Sequence, residues 1–400
     1  MKKILGLILV LVIVFLLFQS EVKMEDFVSR ELYLIEEFAS KNNIELEVSY
    51  EYSDFDENIV LSQSIKEKES LKNVEKILVS VSNGISYEEA YKKYSVNELG
   101  RIPIMMYHGI YDMKDEETDY TGGNVDFYGY HRTTESFKRD LEFFYKNDYV
   151  MIRLQDYIDG NINLKIGKSP IVLTFDDGLR NNINVLGLDE DGEIIIDPSS
   201  AVGILESFKK KYPDFNVTAT FFLNGELFNQ KEYNDKILNW LIENGYDIGN
   251  HTFSHPNLTR LDRESVKREI GKMYSILNEK TEGRHVNIVA LPFGTPASFE
   301  NKNFEFILGG SYKGFDYETE ATLRVGWESD FSPYDSRFDK RFIKRIRAYD
   351  NDGVDFDIEQ NFKFLESNKY ISSGRNDVIV YPKEMNIEVK KEYLSNVLTY

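Results

Sequence analysis

The chain has no cysteine among its 400 residues. That excludes a disulfide scaffold, thiolate metal sites, iron–sulfur clusters and a cysteine nucleophile. Histidine is nearly as scarce, at five, so any catalytic metal has to be held by a few imidazoles together with carboxylates. Positive charge is in deficit: 48 Lys and Arg against 68 Asp and Glu leave a formal net charge of −20. Such a surface repels phosphate backbones, and no basic stripe offsets it locally, so nucleic-acid binding is disfavoured. Two common signals are missing as well. No G-x-G-x-x-G and no G-x-S-x-G occurs, which removes the usual dinucleotide loop and the serine nucleophile elbow. Gly167-Lys168-Ser169 looks like the tail of a phosphate loop, but Ile162 stands where its first glycine belongs and Pro170 would stop the following helix. Asp189-Glu190-Asp191-Gly192 lacks the ligand spacing of a calcium loop and reads as a turn. The 26 Tyr and 27 Phe are scattered and read as ordinary packing aromatics.

What is present begins with an apolar run, Ile4–Phe18, behind Met1-Lys2-Lys3. It reads as an uncleaved signal anchor in preference to a cleaved signal peptide. Phe18-Gln19-Ser20 is a poor processing site, and there is no lipobox cysteine. Lysines before the run and Glu21, Glu25 and Asp26 after it place the bulk of the chain outside a cell membrane, single-pass, or secreted if the run is removed. Residues 1–20 are thus the predicted anchor and 21–99 a spacer or adaptor. In the spacer, a helical pattern around Leu32–Phe38 precedes an alternating strand, Ile44–Tyr50, and a capping box at Ser86-x-x-Glu89. From residue 100 onward, short apolar strands alternate with amphipathic helices. Strands are predicted at Ile102–Tyr107, Ile171–Phe175, Val217–Leu223, Tyr246–Gly249, Ile288–Leu291 and Val378–Tyr381, with an inserted hairpin at Asn184–Asp197. This predicts an α/β fold with a mainly parallel sheet, open or closed into a barrel, and with its chemistry at the carboxyl ends of the strands.

Two of those ends carry chemistry. Ile171-Val172-Leu173-Thr174-Phe175-Asp176-Asp177-Gly178 is an apolar strand ending in two carboxylates. Adjacent strand residues face opposite ways, so both aspartates enter one site only if the strand breaks between them, which Gly178 permits. Tyr246–Pro256 is a second strand, running into His251 with His255 four residues later. Pro256 argues for a turn rather than a helix there. Two imidazoles and one carboxylate make a three-ligand site with a position left for water, the pattern of catalytic zinc.

Thr174-Phe175-Asp176-Asp177-Gly178 and His251-Thr252-Phe253-Ser254-His255 resemble the first two motifs of the polysaccharide deacetylases, carbohydrate esterase family 4. Pro103–His108 is similar to the opening strand of the branch acting on extracellular N-acetylglucosamine polymers. The resemblance implies a distorted (β/α) barrel over residues 100–400, with Asp176 as catalytic base. It implies Asp177, His251 and His255 as ligands of a divalent metal, most often zinc. It places Pro292, Phe293, Trp327 and Tyr381 against substrate. The chain departs from the pattern in three places. Ala290 occupies the place of the third-motif arginine that holds the base, for which Arg345 or Arg347 is the candidate replacement. The late aspartate–tryptophan motif is reduced to Trp327 and Asp330. Tyr381 ends the last predicted strand where a histidine donates the leaving-group proton. His108, at the end of the first strand, is the predicted substitute acid, with His131 in reserve; His285 is expected at the opposite rim. The activity implied is metal-dependent removal of N-acetyl groups from an extracellular or cell-wall amino-sugar polymer of peptidoglycan or poly-N-acetylglucosamine type. A non-catalytic glycan-binding module and an O-deacetylase are the alternatives.

Overall fold

The computed structural model describes residues 22–400, so the run Ile4–Phe18 lies outside the described residues. Among the described residues no helix is long and apolar enough to cross a membrane. The described residues divide into two compact units, one ending at Lys93 and the other spanning Tyr94–Tyr400.

The first unit is a small α+β layer pair. Strands Glu45–Glu51, Lys76–Ser82 and Val60–Gln63 lie side by side in that spatial order, the first pair parallel and the second antiparallel. Alternation on the middle strand turns Ile77, Val79 and Val81 inward, where Ile35 of helix Leu32–Lys41 and Val60 meet them. Ser86 and Glu89 form the expected capping box before helix Tyr87–Tyr94. The division after Lys93 falls earlier than the expected boundary at 99. Glu98 is the reason: its buried carboxylate accepts the backbone N–H groups of Ser373 (2.8 Å) and Val380 (2.7 Å), tying this stretch into the second unit.

The second unit contains eight strands that form one sheet: β1 Ile104–Tyr107, β2 Tyr149–Met151, β3 Ser169–Phe175, β4 Thr220–Leu223, β5 Asp247–Asn250, β6 Ile288–Ala290, β7 Ala321–Leu323 and β8 Ile346–Arg347. The spatial order is β7-β6-β5-β4-β3-β1-β8, with β2 beside the early half of β3. Each pairing is parallel. Helices α1 Thr134–Lys146, α2 Ala201–Lys211, α3 Asn234–Glu243 and α4 Arg263–Thr281 lie in crossovers between strands, and α5 Ile358–Asn368 follows β8. Four are opened by a side-chain cap at Thr133, Ser200, Asp262 or Asp357. The sheet curls until its ends meet through one parallel bridge, Leu323 to Ile343, just ahead of β8. It is a distorted (β/α) barrel.

The inserted hairpin is present, as Val185–Leu188 against Ile194–Ile196. The strand at Ile379–Tyr381 exists but does not belong to the barrel, contrary to expectation. It pairs with Val397–Thr399 at the chain's end and packs with Leu99 and Val389. The sheet position beyond β1 goes to β8 instead.

Candidate metal and catalytic centre

Strand periodicity delivers the site. Ile104, Val172, Phe222, Ile288, Ala290, Ala321 and Leu323 share the inner cluster, while Met105, Leu173, Phe175, Phe221, Ile248 and Ile346 pack outward with the helices. Continuing the inner phase one step past the ends of β1, β3 and β5 brings His108, Asp176 and His251 to the carboxyl rim. Asp177 would face outward on a regular strand. Its φ is +75°, and Gly178 follows at +59°, so the chain turns and Asp177 enters the same site. A Cβ on residue 178 would run into the Leu227 carbonyl oxygen, so glycine is required there. His255 (φ +54°), Thr252 (+65°) and Phe293 (+57°) also adopt left-handed backbone. Such conformations cost about 1–3 kcal/mol each and persist where the surroundings enforce them.

One ligand atom from each of Asp177, His251 and His255 lies within 4.8 Å of the others. Asp177 Oδ1 is 3.4 Å from His251 Nε2 and 3.5 Å from His255 Nε2. His251 Nδ1 sits 2.8 Å from the Ala290 carbonyl, to which it can only donate. The lone pair is thereby left on Nε2, which is buried and has no hydrogen-bond partner. A backbone carbonyl that fixes the tautomer of one imidazole, a second imidazole and a carboxylate suit a divalent transition ion. Burial opposes charge on both Asp177 and His251. Their mutual attraction, reinforced at His251 by Asp176, outweighs it, lowering the aspartate and raising the imidazole. Burial and the neighbouring His251 lower His255.

Asp176 is 1% exposed and Arg345 is fully buried. Arg345 Nη1 and Nη2 donate to Asp176 Oδ1 and Oδ2, both at 2.7 Å, and Nε donates to the Arg324 carbonyl at 2.7 Å. Burial alone would raise the Asp176 pKa, but Arg345 and then His251 hold it well below the usual carboxylate range. Of the two candidate replacements for the absent arginine, Arg345 is therefore the one that grips Asp176. Gly326 makes this possible, because a Cβ there would overlap the Arg345 carbonyl. Arg347 instead lies 3.8 Å from the Tyr349 ring centroid and 5.3 Å from that of Tyr130.

A cavity of about 210 Å³ opens on this cluster, lined by His108, Tyr130, His131, Asp176, Asp177, His251, His255, Phe293 and Val325. His108 and His131 thus both reach it. Burial pushes His108 down to about 4 against the pull of Asp176 and Asp177, and its Nδ1 is without a partner. His131 Nδ1 accepts the Gly109 N–H at 3.1 Å, which puts the neutral ring's proton on Nε2. Phe293 meets His255 edge-on at 4.7 Å.

Three expected substrate contacts are not brought here. Tyr381 left with its strand for the sheet beside Val397–Thr399. Pro292 is buried in the turn beneath Phe293, and Trp327 stands 61% exposed away from the cavity lining. Asp330 is buried, accepts the Phe331 and Lys344 N–H groups, and is pushed up to about 6 by burial; it supports the loop before β8. His285 packs on Tyr274 and does not line the cavity. Sequence reasoning did not single out Tyr130 or Val325. Tyr130 had a signal, its place beside the reserve histidine in Gly129-Tyr130-His131.

A carboxylate–imidazole cluster able to hold a metal ion, at the carboxyl rim of a parallel barrel and beside a carboxylate held by arginine, suits a hydrolase-type centre. Residues 164–303 match the polysaccharide deacetylase family model. It is 24% identical over 211 residues to a peptidoglycan-N-acetylmuramic acid deacetylase of Bacillus subtilis, covering 52% of this chain and 34% of the relative. It is 32% identical over 127 residues to a peptidoglycan-N-acetylglucosamine deacetylase of Bacillus cereus, covering 32% and 37%. The chain therefore spans about a third of the length of these curated relatives. Among solved structures, a Streptococcus pyogenes deacetylase in complex with acetate aligns over 63% of this chain and 94% of its own, at 18% identity and a TM-score of 0.45. His108 and Arg345 lie outside the residues matched by the family model.

Proposed function

We propose that the protein is a metal-dependent de-N-acetylase of an amino-sugar polysaccharide, of peptidoglycan or poly-N-acetylglucosamine type. The observation that carries this reading is the pairing of Asp177, His251 and His255 with an Arg345-bound Asp176 in one open cavity. Deacetylases of peptidoglycan among its relatives support the substrate class. The three ligands would hold a divalent ion, zinc by the chemistry of its donors. When bound, such an ion polarises an acetyl carbonyl and acidifies water.

The protein's own residues do the rest. Asp176, kept ionised and fixed by two hydrogen bonds from Arg345, accepts the proton of the attacking water. Two carboxylates acting without imidazoles would suit a glycosidase, but those need about 5–9.5 Å between them rather than adjacent residues around a histidine pair. His108 protonates the departing amine. Burial pushes its pKa down to about 4, so it enters the cycle neutral, and the proton it passes to the amine is the one Asp176 has taken from the attacking water, which returns Asp176 to its ionised form. His131, with Nδ1 engaged by Gly109, presents an Nε2–H for a hydrogen bond to the sugar. The proposed location is outside the cell membrane, anchored by the apolar run Ile4–Phe18, or secreted if that run is removed.

The test is acetate release from N-acetylglucosamine oligomers and peptidoglycan, with and without chelator. Chelator-sensitive release supports the reading. Release only from O-acetylated glycans would replace it with the esterase. Stoichiometric metal without acetate from any acetylated glycan would leave a binding module.

A further inference from the structure

The turn between β1 and α1 holds aromatic rings in solvent, and it does so rigidly. Asp126 organises it: Oδ1 accepts Tyr128 N–H at 2.9 Å, Oδ2 accepts His131 N–H at 2.8 Å, and the carbonyl accepts Gly129 N–H at 3.0 Å. Val125 N–H closes the turn on the His131 carbonyl at 2.9 Å. Gly129, at φ +64°, lies where a Cβ would press on Tyr349. On this frame Phe127 is 79% and Tyr128 65% exposed. A well-fastened turn that leaves two large rings unburied forgoes apolar burial, which marks a contact surface.

The rings form a path. Phe127 meets Tyr128 at 5.2 Å, Tyr128 meets Tyr130 at 6.4 Å, and Tyr130 meets His108 at 5.0 Å. The last two line the catalytic cavity, and Arg347 backs Tyr130 at 5.3 Å. The exposed pair is thus continuous with the site where the acetyl group is to be cut. Phe127 and Tyr128 stand edge to face, with 83° between their planes, so each offers its own face to a separate sugar. Each pyranose offers an apolar C–H face suited to an electron-rich ring face. The surrounding loop carries Asp112, Glu116, Glu117, Asp119 and Asp126, which would repel an anionic lipid surface.

We infer that Phe127 and Tyr128, continued inward by Tyr130, are a stacking platform for the sugars flanking the acetylated residue of a hexosamine polymer. This rests on the deacetylase reading for what occupies the cavity. The platform lies outside residues 164–303, the part matched to the family, and makes the enzyme prefer long chains over short ones. Phe127 and Tyr128 select the substrate; they take no part in bond breaking.

The experiment compares wild type, Phe127→Ala/Tyr128→Ala and Phe364→Ala, whose ring is an exposed aromatic on α5 outside the platform. Hexa-N-acetylglucosamine is the probe. Its KM is measured by acetate release, and its binding by calorimetry in the Asp176→Asn background. The double variant should raise KM and weaken binding about tenfold, because both exposed ring faces are lost. Its kcat should hold, and Phe364→Ala should match wild type. Unchanged hexamer binding, or a fall in kcat at constant KM, overturns the platform. So does a loss of affinity for vesicles of phosphatidylglycerol and phosphatidylethanolamine with hexamer binding intact, which would make the rings a membrane contact. If wild type releases no acetate, the deacetylase reading fails, while calorimetry still decides the platform. No hexamer binding by wild type would overturn it outright.

Discussion

The two units solve the same packing problem with opposite tolerance for polarity. Each sets helices against a sheet and turns alternate strand residues inward. Among the described residues of the first unit, the one buried polar side chain is Ser82, which hydrogen-bonds the Phe55 carbonyl at 2.7 Å. The second unit buries Asp176, Arg345, His251, Arg132 and Asp140. Burying charge does not add stability in general, and an apolar replacement of similar volume often does as well or better. The second unit's ionic interior, at least around Asp176, is therefore better explained by chemistry than by folding, and the first unit's dry interior by folding alone.

That contrast predicts where substitutions act. The largest effect belongs to the three proposed metal ligands. Asp177→Ala, His251→Ala or His255→Ala should each cost at least about a hundredfold in metal affinity, more than the loss of an outer-shell partner, read by metal analysis after dialysis. Activity should vanish with the metal. Asp176→Asn should retain the ion and lose turnover by about 10²–10⁴-fold, as should His108→Gln. Equal metal loss in Asp176→Asn would mean that both aspartates ligate.

Arg345→Met strands the buried Asp176 carboxylate. It should cost about 3–5 kcal/mol in denaturant unfolding of the second unit and also lower turnover. Arg345→Met paired with Asp176→Asn should recover part of the stability but none of the activity. Stability recovered together with activity would contradict a catalytic reason for the pair.

In the first unit, Ile77→Ala should cost about 2–5 kcal/mol in that unit's unfolding, because Ile77 is fully buried in its core. Metal content and kcat should not move. A parallel fall in kcat would show that the first unit does more than fold. The smallest effect is expected from Tyr381→Phe, measured as acetate release, because Tyr381 sits in the two-stranded sheet with Val397–Thr399. A collapse there would return the proton-donor role to the phenol and remove it from His108.

Legibility followed element length and side-chain chemistry. β3 and the helices α1, α2 and α4 carried long apolar periods with caps and could be read directly. β2, β7 and β8 have three, three and two residues, and β7 and β8 also lack the unbroken apolar run that made the short β6 visible. Missing β8 meant that Arg345 could be nominated but not placed. The apolar run at Val378–Val380 is a genuine strand, yet its partner was unknowable from local pattern, since strand pairing is a long-range choice. The site itself was mostly visible, because two Asp and two His at strand ends are chemically conspicuous. Tyr128 and Phe127 were not, because an exposed aromatic has the same letter as a buried one.

The central claim is that the ion held by Asp177, His251 and His255 is needed to cleave an N-acetyl amide. Acetate release from an N-acetylglucosamine oligomer, by the purified protein before chelation, after it, and after zinc is restored, tests this most directly. The account predicts release, then loss, then recovery. Release that persists with the metal stripped would contradict it.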